Sequence, residues 1–188
     1  MAKFFGNVHL VVGAGLLLTI LVVLGVGPNG DQLNSAMRWA HLFFGVLWIG
    51  LLYYFNFVQV PTMPKIADEH KPAVTKHIAP SALFFFRWAA LLTVVTGLTV
   101  AHLTGYLHQA LLLDPSFRLI GIGMWLALIM AANVWFLIWP AQKKVLGIVE
   151  ATPEAKASAA KIALIASRTN TLLSFPMFYA MVNANHGG

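Results

Sequence analysis

The stretch RWAHLFFGVLWIGLLYYFNFVQ, residues 38–59, sets one histidine and two amides into an otherwise apolar run. Of these groups only the imidazole of His41 can offer a nitrogen to haem iron or exchange a proton near neutral pH. His41, Gly45, Trp48, Leu52, Asn56 and Gln59 follow one another at spacings of three and four residues, so a helix places them on a single stripe. A second imidazole, His102 in TVAHLTGYLH, closes a later apolar run at roughly the depth of His41. Two neutral imidazoles on facing helices, each nitrogen about 2 Å from iron, are what a b-type haem requires. His41 and His102 are therefore the candidate metal ligands. His41 reads equally well as a histidine bonded to a backbone carbonyl at the rim of a bundle, and His108 competes with His102 as its partner.

Arginines raise a different question. Arg87 and Arg168 fall inside apolar runs, where a guanidinium must snorkel, pair or meet an anion. The six acids, Asp31, Asp68, Glu69, Asp114, Glu150 and Glu154, all map to loops or interfaces. The counter-charge is then a haem propionate, a lipid phosphate, an anionic substrate or a neighbouring chain. Asn133 and Asn170 extend the polar set and read also as helix-to-helix hydrogen-bonding groups. The candidate cofactor residues are His41, His102, Arg87, Arg168, Trp48, Asn56, Asn133 and Asn170. His9 and His77 sit near the opposite face, and His70 and His186 read as loop and tail.

The elements that must position these residues are membrane helices. Hydrophobic residues make up 59% of the 188 and charged residues only 10%, with a mean hydropathy of +0.77. Several apolar runs reach the roughly 20 residues a helix needs to cross hydrocarbon, and they do not alternate as barrel strands do. We expect one all-α integral membrane domain, residues 1–188, as a bundle of five transmembrane helices at about 9–27, 37–60, 80–103, 117–139 and 160–182. The fifth is the weakest, because SRTNTLLSFP interrupts it and Pro176 should bend it. The first reads as a retained helix rather than a cleaved leader. Lys3, Lys65, Lys71, Lys76, Lys143, Lys144, Lys156 and Lys161 share one side of this plan, which puts the N-terminus in the cytoplasm and the C-terminus in the periplasm.

Much chemistry is excluded by composition. With no cysteine, the chain has no disulfide, iron–sulfur cluster or covalently attached c-type haem. It has no phosphate-binding glycine loop, no HExxH, no paired intramembrane carboxylates and no acidic gate of a transporter. The net charge of +6 is explained by lysines beside an anionic leaflet, with no nucleic acid as partner. What remains is membrane redox chemistry with a noncovalent cofactor, haem b, or a non-catalytic role as an accessory subunit.

RWAHLFFGVLWIGLLYYFNFVQ, LFFFRWAALLTVVTGL and ANVWFLIWPAQKKVLG followed by SRTNTLLSFPMFYAMVNANH together resemble the membrane domain of the urate hydroxylase family. The likeness runs over roughly residues 37–186. It implies a bacterial inner-membrane protein tied to purine oxidation and passing electrons to a cytochrome. By that resemblance His41, Trp48, Asn56, Arg87, Asn133, Arg168 and Asn170 match positions in the family's hydrophilic core. Longer members carry a C-terminal c-type cytochrome domain, whereas this chain contains no CxxCH. It resembles a short form, which would act with a separate c-type cytochrome or within a larger membrane complex.

Overall fold

A computed structural model describes residues 1–27 and 31–184, and among these it contains helices and no strand. After a single helical turn, Ala2–Phe5, come α1 (Val8–Val26), α2 (Gln32–Lys65) and α3 (Lys71–Thr104). The short α4 (Leu107–Leu111) leads into α5 (Pro115–Val145) and the last helix, α6 (Pro153–Asn183). Side chains with a local acceptor start these helices. Asn7, Asp31, Asp114 and Thr152 each take up a backbone N–H of the first turn, satisfying donors the helix itself leaves orphaned.

The chain forms two compact units, Met1–Ala36 and Met37–Gly188. The first is dominated by α1, which is apolar on every face, as a helix surrounded by lipid tails must be. In the second, α2, α3, α5 and α6 run alternately up and down. Their register can be read from cross-helix contacts. His41 and Phe55 on α2 meet Thr93 and Phe86 on α3, and Trp88 on α3 meets Trp135 on α5. Asn133 and Gly123 on α5 oppose Asn170 and Ala180 on α6, while Tyr53 and Asn56 on α2 oppose Ser174 and Ser167 on α6. Trp48, Leu52, Phe86, Met130 and Val134 fill the centre with almost no exposure. Gly121 lets the backbone of α4 close on α5, since a Cβ there would collide with the Ala110 carbonyl.

Three of the helices widen into a π-turn, at Tyr54–Gln59, Val74–Ile78 and Asn133–Ile138. Each turn ends one residue short of a proline, Pro61, Pro80 or Pro140. Proline has no N–H for the carbonyl four residues back, and its ring crowds that carbonyl. The chain relieves the clash by inserting one residue, and the residue before each proline donates across five positions: Val60 to Phe55, Ala79 to Val74, Trp139 to Val134.

The expected count of five transmembrane helices is corrected here. Among the described residues four helices, α1, α2, α3 and α5, are long and apolar enough to cross a membrane. The last long helix is not one of them, and the odd number that set the termini on opposite sides goes with it. The physical reason lies in Ser167, Arg168, Thr169, Asn170, Thr171 and Ser174, which dilute the apolar content of α6. α6 instead serves as the fourth wall of the second unit, turning Asn170, Thr171 and Ser174 inward to full burial. It continues as a helix through Pro176 to Asn183. His186 lies outside the described residues.

Candidate functional site

At the end of the bundle where α2 begins, a cavity of about 370 Å³ opens between α2, α3, α5 and α6. Ligand sites in proteins begin at about this size. The wall from α2 and α3 carries Arg38, His41, Trp48, Thr93 and Gly97, and that from α5 and α6 carries Ile120, Met124, Met177 and Met181. The lining is chiefly apolar, with charge only at Arg38 and hydrogen-bonding capacity gathered on the α2–α3 side.

His41 is held by its neighbours on α3. Its Nδ1 stands 2.8 Å from the Thr93 carbonyl, an atom that can only accept, so Nδ1 carries a proton and donates it. In a neutral imidazole this leaves the lone pair on Nε2. The ring lies flat into the space left by Gly97, where a Cβ would come within 2.7 Å of Cε1. The same Thr93 carbonyl also accepts from the Thr96 hydroxyl at 3.2 Å, while the Thr93 hydroxyl folds back on the Ala89 carbonyl. Outside the helices, burial pushes the Tyr106 phenol above the ordinary tyrosine range, with the charge of Arg38 pulling the other way. Arg38 and Tyr106 both line the cavity.

The second sequence-predicted histidine is elsewhere. His102 follows Gly97 by five residues, which turns it off the face that meets His41; it is exposed and takes no part in the cavity wall. His108 is exposed on α4. Arg87 does not reach the cavity either. It is stacked on the Trp139 ring, 3.8 Å from the centroid, with Phe84 at 5.4 Å, so aromatic faces supply the negative end that no acid provides. Arg168 is exposed.

The amides form a separate layer at the other end of the bundle. Asn133 donates to Asn170 Oδ1 at 3.0 Å, and Asn170 donates to the Met130 carbonyl at 2.9 Å. Asn56 donates both to the Leu52 carbonyl and to Ser167 Oγ, at 2.9 and 2.8 Å. Ser174 gives its proton to the Thr171 carbonyl, so Tyr53 must donate in the 2.9 Å contact between their hydroxyls. These side chains tie α2 and α5 to α6. Trp48 is only 1% exposed and lines the cavity.

Sequence reasoning missed Arg38 and the three methionines. Arg38 stands beside Trp39 at what reads as a helix end, and methionine at helical spacing reads as core; only the closure of α5 and α6 over α2 makes these residues neighbours of His41.

Residues 116–188 match the family model described as urate oxidase N-terminal. The match covers α5 and α6, hence Asn133, Arg168 and Asn170, and makes the chain a distant relative of that family. His41, Trp48, Asn56, Arg87 and His102 lie outside it. No curated protein and no solved structure matches the chain.

Proposed function

We propose that the protein is a membrane-integral electron carrier that holds a b-type haem against His41. One observation carries this reading: an imidazole fixed by Thr93 so that Nε2 presents a lone pair, set in the wall of an apolar cavity. A backbone-bonded Nδ1–H is the arrangement by which proteins orient and strengthen a histidine ligand. Arg38 at the mouth supplies the positive charge that carboxylates at a porphyrin edge require, a role sequence reasoning gave to Arg87 and Arg168. The haem would supply a one-electron couple within hydrocarbon. The chain's own residues orient the ring, exclude water through Ile120, Met124 and Met177, and balance charge at the rim. Electrons would pass to a separate carrier such as a c-type cytochrome.

The partial match to the urate oxidase N-terminal family supports, as a second reading, oxidation of a purine in company with such a cytochrome. A purine presents donors and acceptors around its whole edge, and the α5–α6 wall of the cavity offers it none from side chains. The haem reading is therefore preferred. The third reading, a non-catalytic accessory subunit, draws support from the buried amide oxygens of Asn56 and Gln59, which find no partner among the described residues, whereas Asn133 and Asn170 meet one another within the chain.

The test is the absorption spectrum of the protein purified from its native membrane and, in parallel, reconstituted with haemin. A Soret band is expected at one haem per chain, absent from His41→Ala and retained in His102→Ala. A folded, colourless protein that takes up no haemin would overturn the proposal, and co-purification with a stoichiometric partner would then favour the accessory role.

A further inference from the structure

At the end of the bundle away from His41, a second cavity of about 300 Å³ lies between the end of α5 and the start of α6, a size at the lower limit of ligand sites. Its floor includes Ala141 and Ala159, both buried, whose short side chains leave the slot between the helices unfilled. The lining divides by chemistry. Phe136, Leu137 and Ile162 form one part, and all three are exposed, as lipid-facing side chains are. Lys144 and Ser158 belong to the other part and are also exposed. Along α5, Phe136 and Lys144 stand about 12 Å apart at 1.5 Å per residue, so the apolar and the charged groups lie at different depths.

The charge at this end is one-sided. No acid lines the cavity, and the ion pairs among the described residues, His70 with Glu69 and Lys71 with Asp68, lie at the α2–α3 connection. Lys143, Lys156 and Lys161 are close to Lys144 along the chain, at the end of the bundle that the lysine asymmetry assigns to the anionic leaflet. An ammonium at the rim of an apolar slot between membrane helices is suited to an anionic lipid headgroup. From this graded lining we propose that the slot binds one anionic glycerophospholipid, with its phosphate against the Lys144 ammonium and the Ser158 hydroxyl and an acyl chain along Phe136, Leu137 and Ile162.

Each part of the lining narrows the choice. A soluble anion would gain nothing from the apolar part. A zwitterionic lipid would bring its own cation to a face already rich in lysine. A bound lipid would tie α6, whose composition falls short of a membrane span, to α5, which can cross. The site uses neither His41 nor the first cavity, so it stands or falls separately from the haem reading.

The experiment exchanges the purified full chain into nanodiscs of equal parts phosphatidylglycerol and phosphatidylcholine, then counts the lipids that stay bound on release by native mass spectrometry. Wild type should retain one phosphatidylglycerol per chain. Lys144→Gln should lower that retention about fivefold, as expected for one lysine removed at a membrane surface, while Lys161→Gln, an equal loss of charge at an exposed residue outside the cavity, should leave it unchanged. Ser158→Leu fills the slot from an exposed position and should abolish retention. Added inorganic phosphate should not displace the lipid. Equal losses in Lys144→Gln and Lys161→Gln would reduce the effect to diffuse charge and overturn the site, as would a wild type that keeps no lipid or keeps phosphatidylcholine equally well. Full retention in Ser158→Leu would show that the lipid sits elsewhere.

Discussion

His41 uses its two nitrogens for two purposes. Nδ1 is spent on the Thr93 carbonyl, and in the neutral ring the lone pair is then on Nε2, so the structural and the ligating readings of this residue describe different atoms of one ring. The arrangement depends on Gly97, because a methyl group there would stand 2.7 Å from Cε1 and 2.9 Å from Nδ1. Gly97→Ala should push the imidazole off Thr93, cost about 1–3 kcal/mol as an overpacked contact, and abolish haem uptake. Gly45→Ala is the control, since its added carbon meets only Thr93 Cγ2 at an ordinary 3.8 Å; uptake should remain. Haemin titration and thermal unfolding in detergent check both, and equal behaviour of the two variants would sink the account. At this scale the sequence disclosed His41 through its stripe but not its partner. A lone imidazole at helical spacing advertises itself, whereas a carbonyl acceptor such as Thr93 and a space such as Gly97 have no signature in residue type.

Helices here are joined by amides whose aim depends on local backbone geometry. The stripe carrying His41, Trp48 and Asn56 was legible because helical period is written in residue type. Its division between a cavity near one end and a hydrogen-bonded layer further along follows from the run from Arg38 to Gln59 being more than twenty residues long. The π-turns were not legible, although each precedes an X-Pro pair that in retrospect marks it. The turn at Asn133–Ile138 carries Asn133, and its extra residue sets where that amide points relative to Trp139 and beyond. Pro140→Ala restores an N–H to the Phe136 carbonyl and removes the reason for the turn. Contraction to a regular helix would rotate the residues on one side by about 100° relative to the other, taking Asn133 away from Asn170. A double-mutant cycle between Asn133→Ala and Asn170→Ala should therefore give a coupling of about 0.6 kcal/mol, typical for membrane hydrogen bonds, in the native background and none with Pro140→Ala. Coupling that survives the proline substitution would show that the π-turn does not aim this amide.

Over the whole molecule, the apolar runs marked every long helix, and the expectation failed in counting α6 as a span. The failure has a simple origin: Ser167, Arg168, Thr169, Asn170, Thr171 and Ser174 lower the apolar content of that helix, although its polar face makes it a good wall for the other three. Four helices by length and composition remain able to cross a membrane, and they imply a definite arrangement of the connections between them. Residues 66–70, between α2 and α3, and residues 105–114, between α3 and α5, stand at opposite ends of α3. They must therefore face opposite aqueous phases if α3 crosses. Lysines at 65, 71 and 76 flank the first connection, and none occurs from 105 to 114, which is the asymmetry expected across a bilayer. The absence of cysteine from the chain makes this simple to read, because any single introduced thiol is the only one present. His70→Cys and Gln109→Cys, both at exposed positions, should be labelled by an impermeant maleimide from opposite sides of sealed vesicles. Labelling from the same side would mean that α3 does not cross, and would leave His41 and its cavity without the hydrocarbon surroundings on which the redox reading depends.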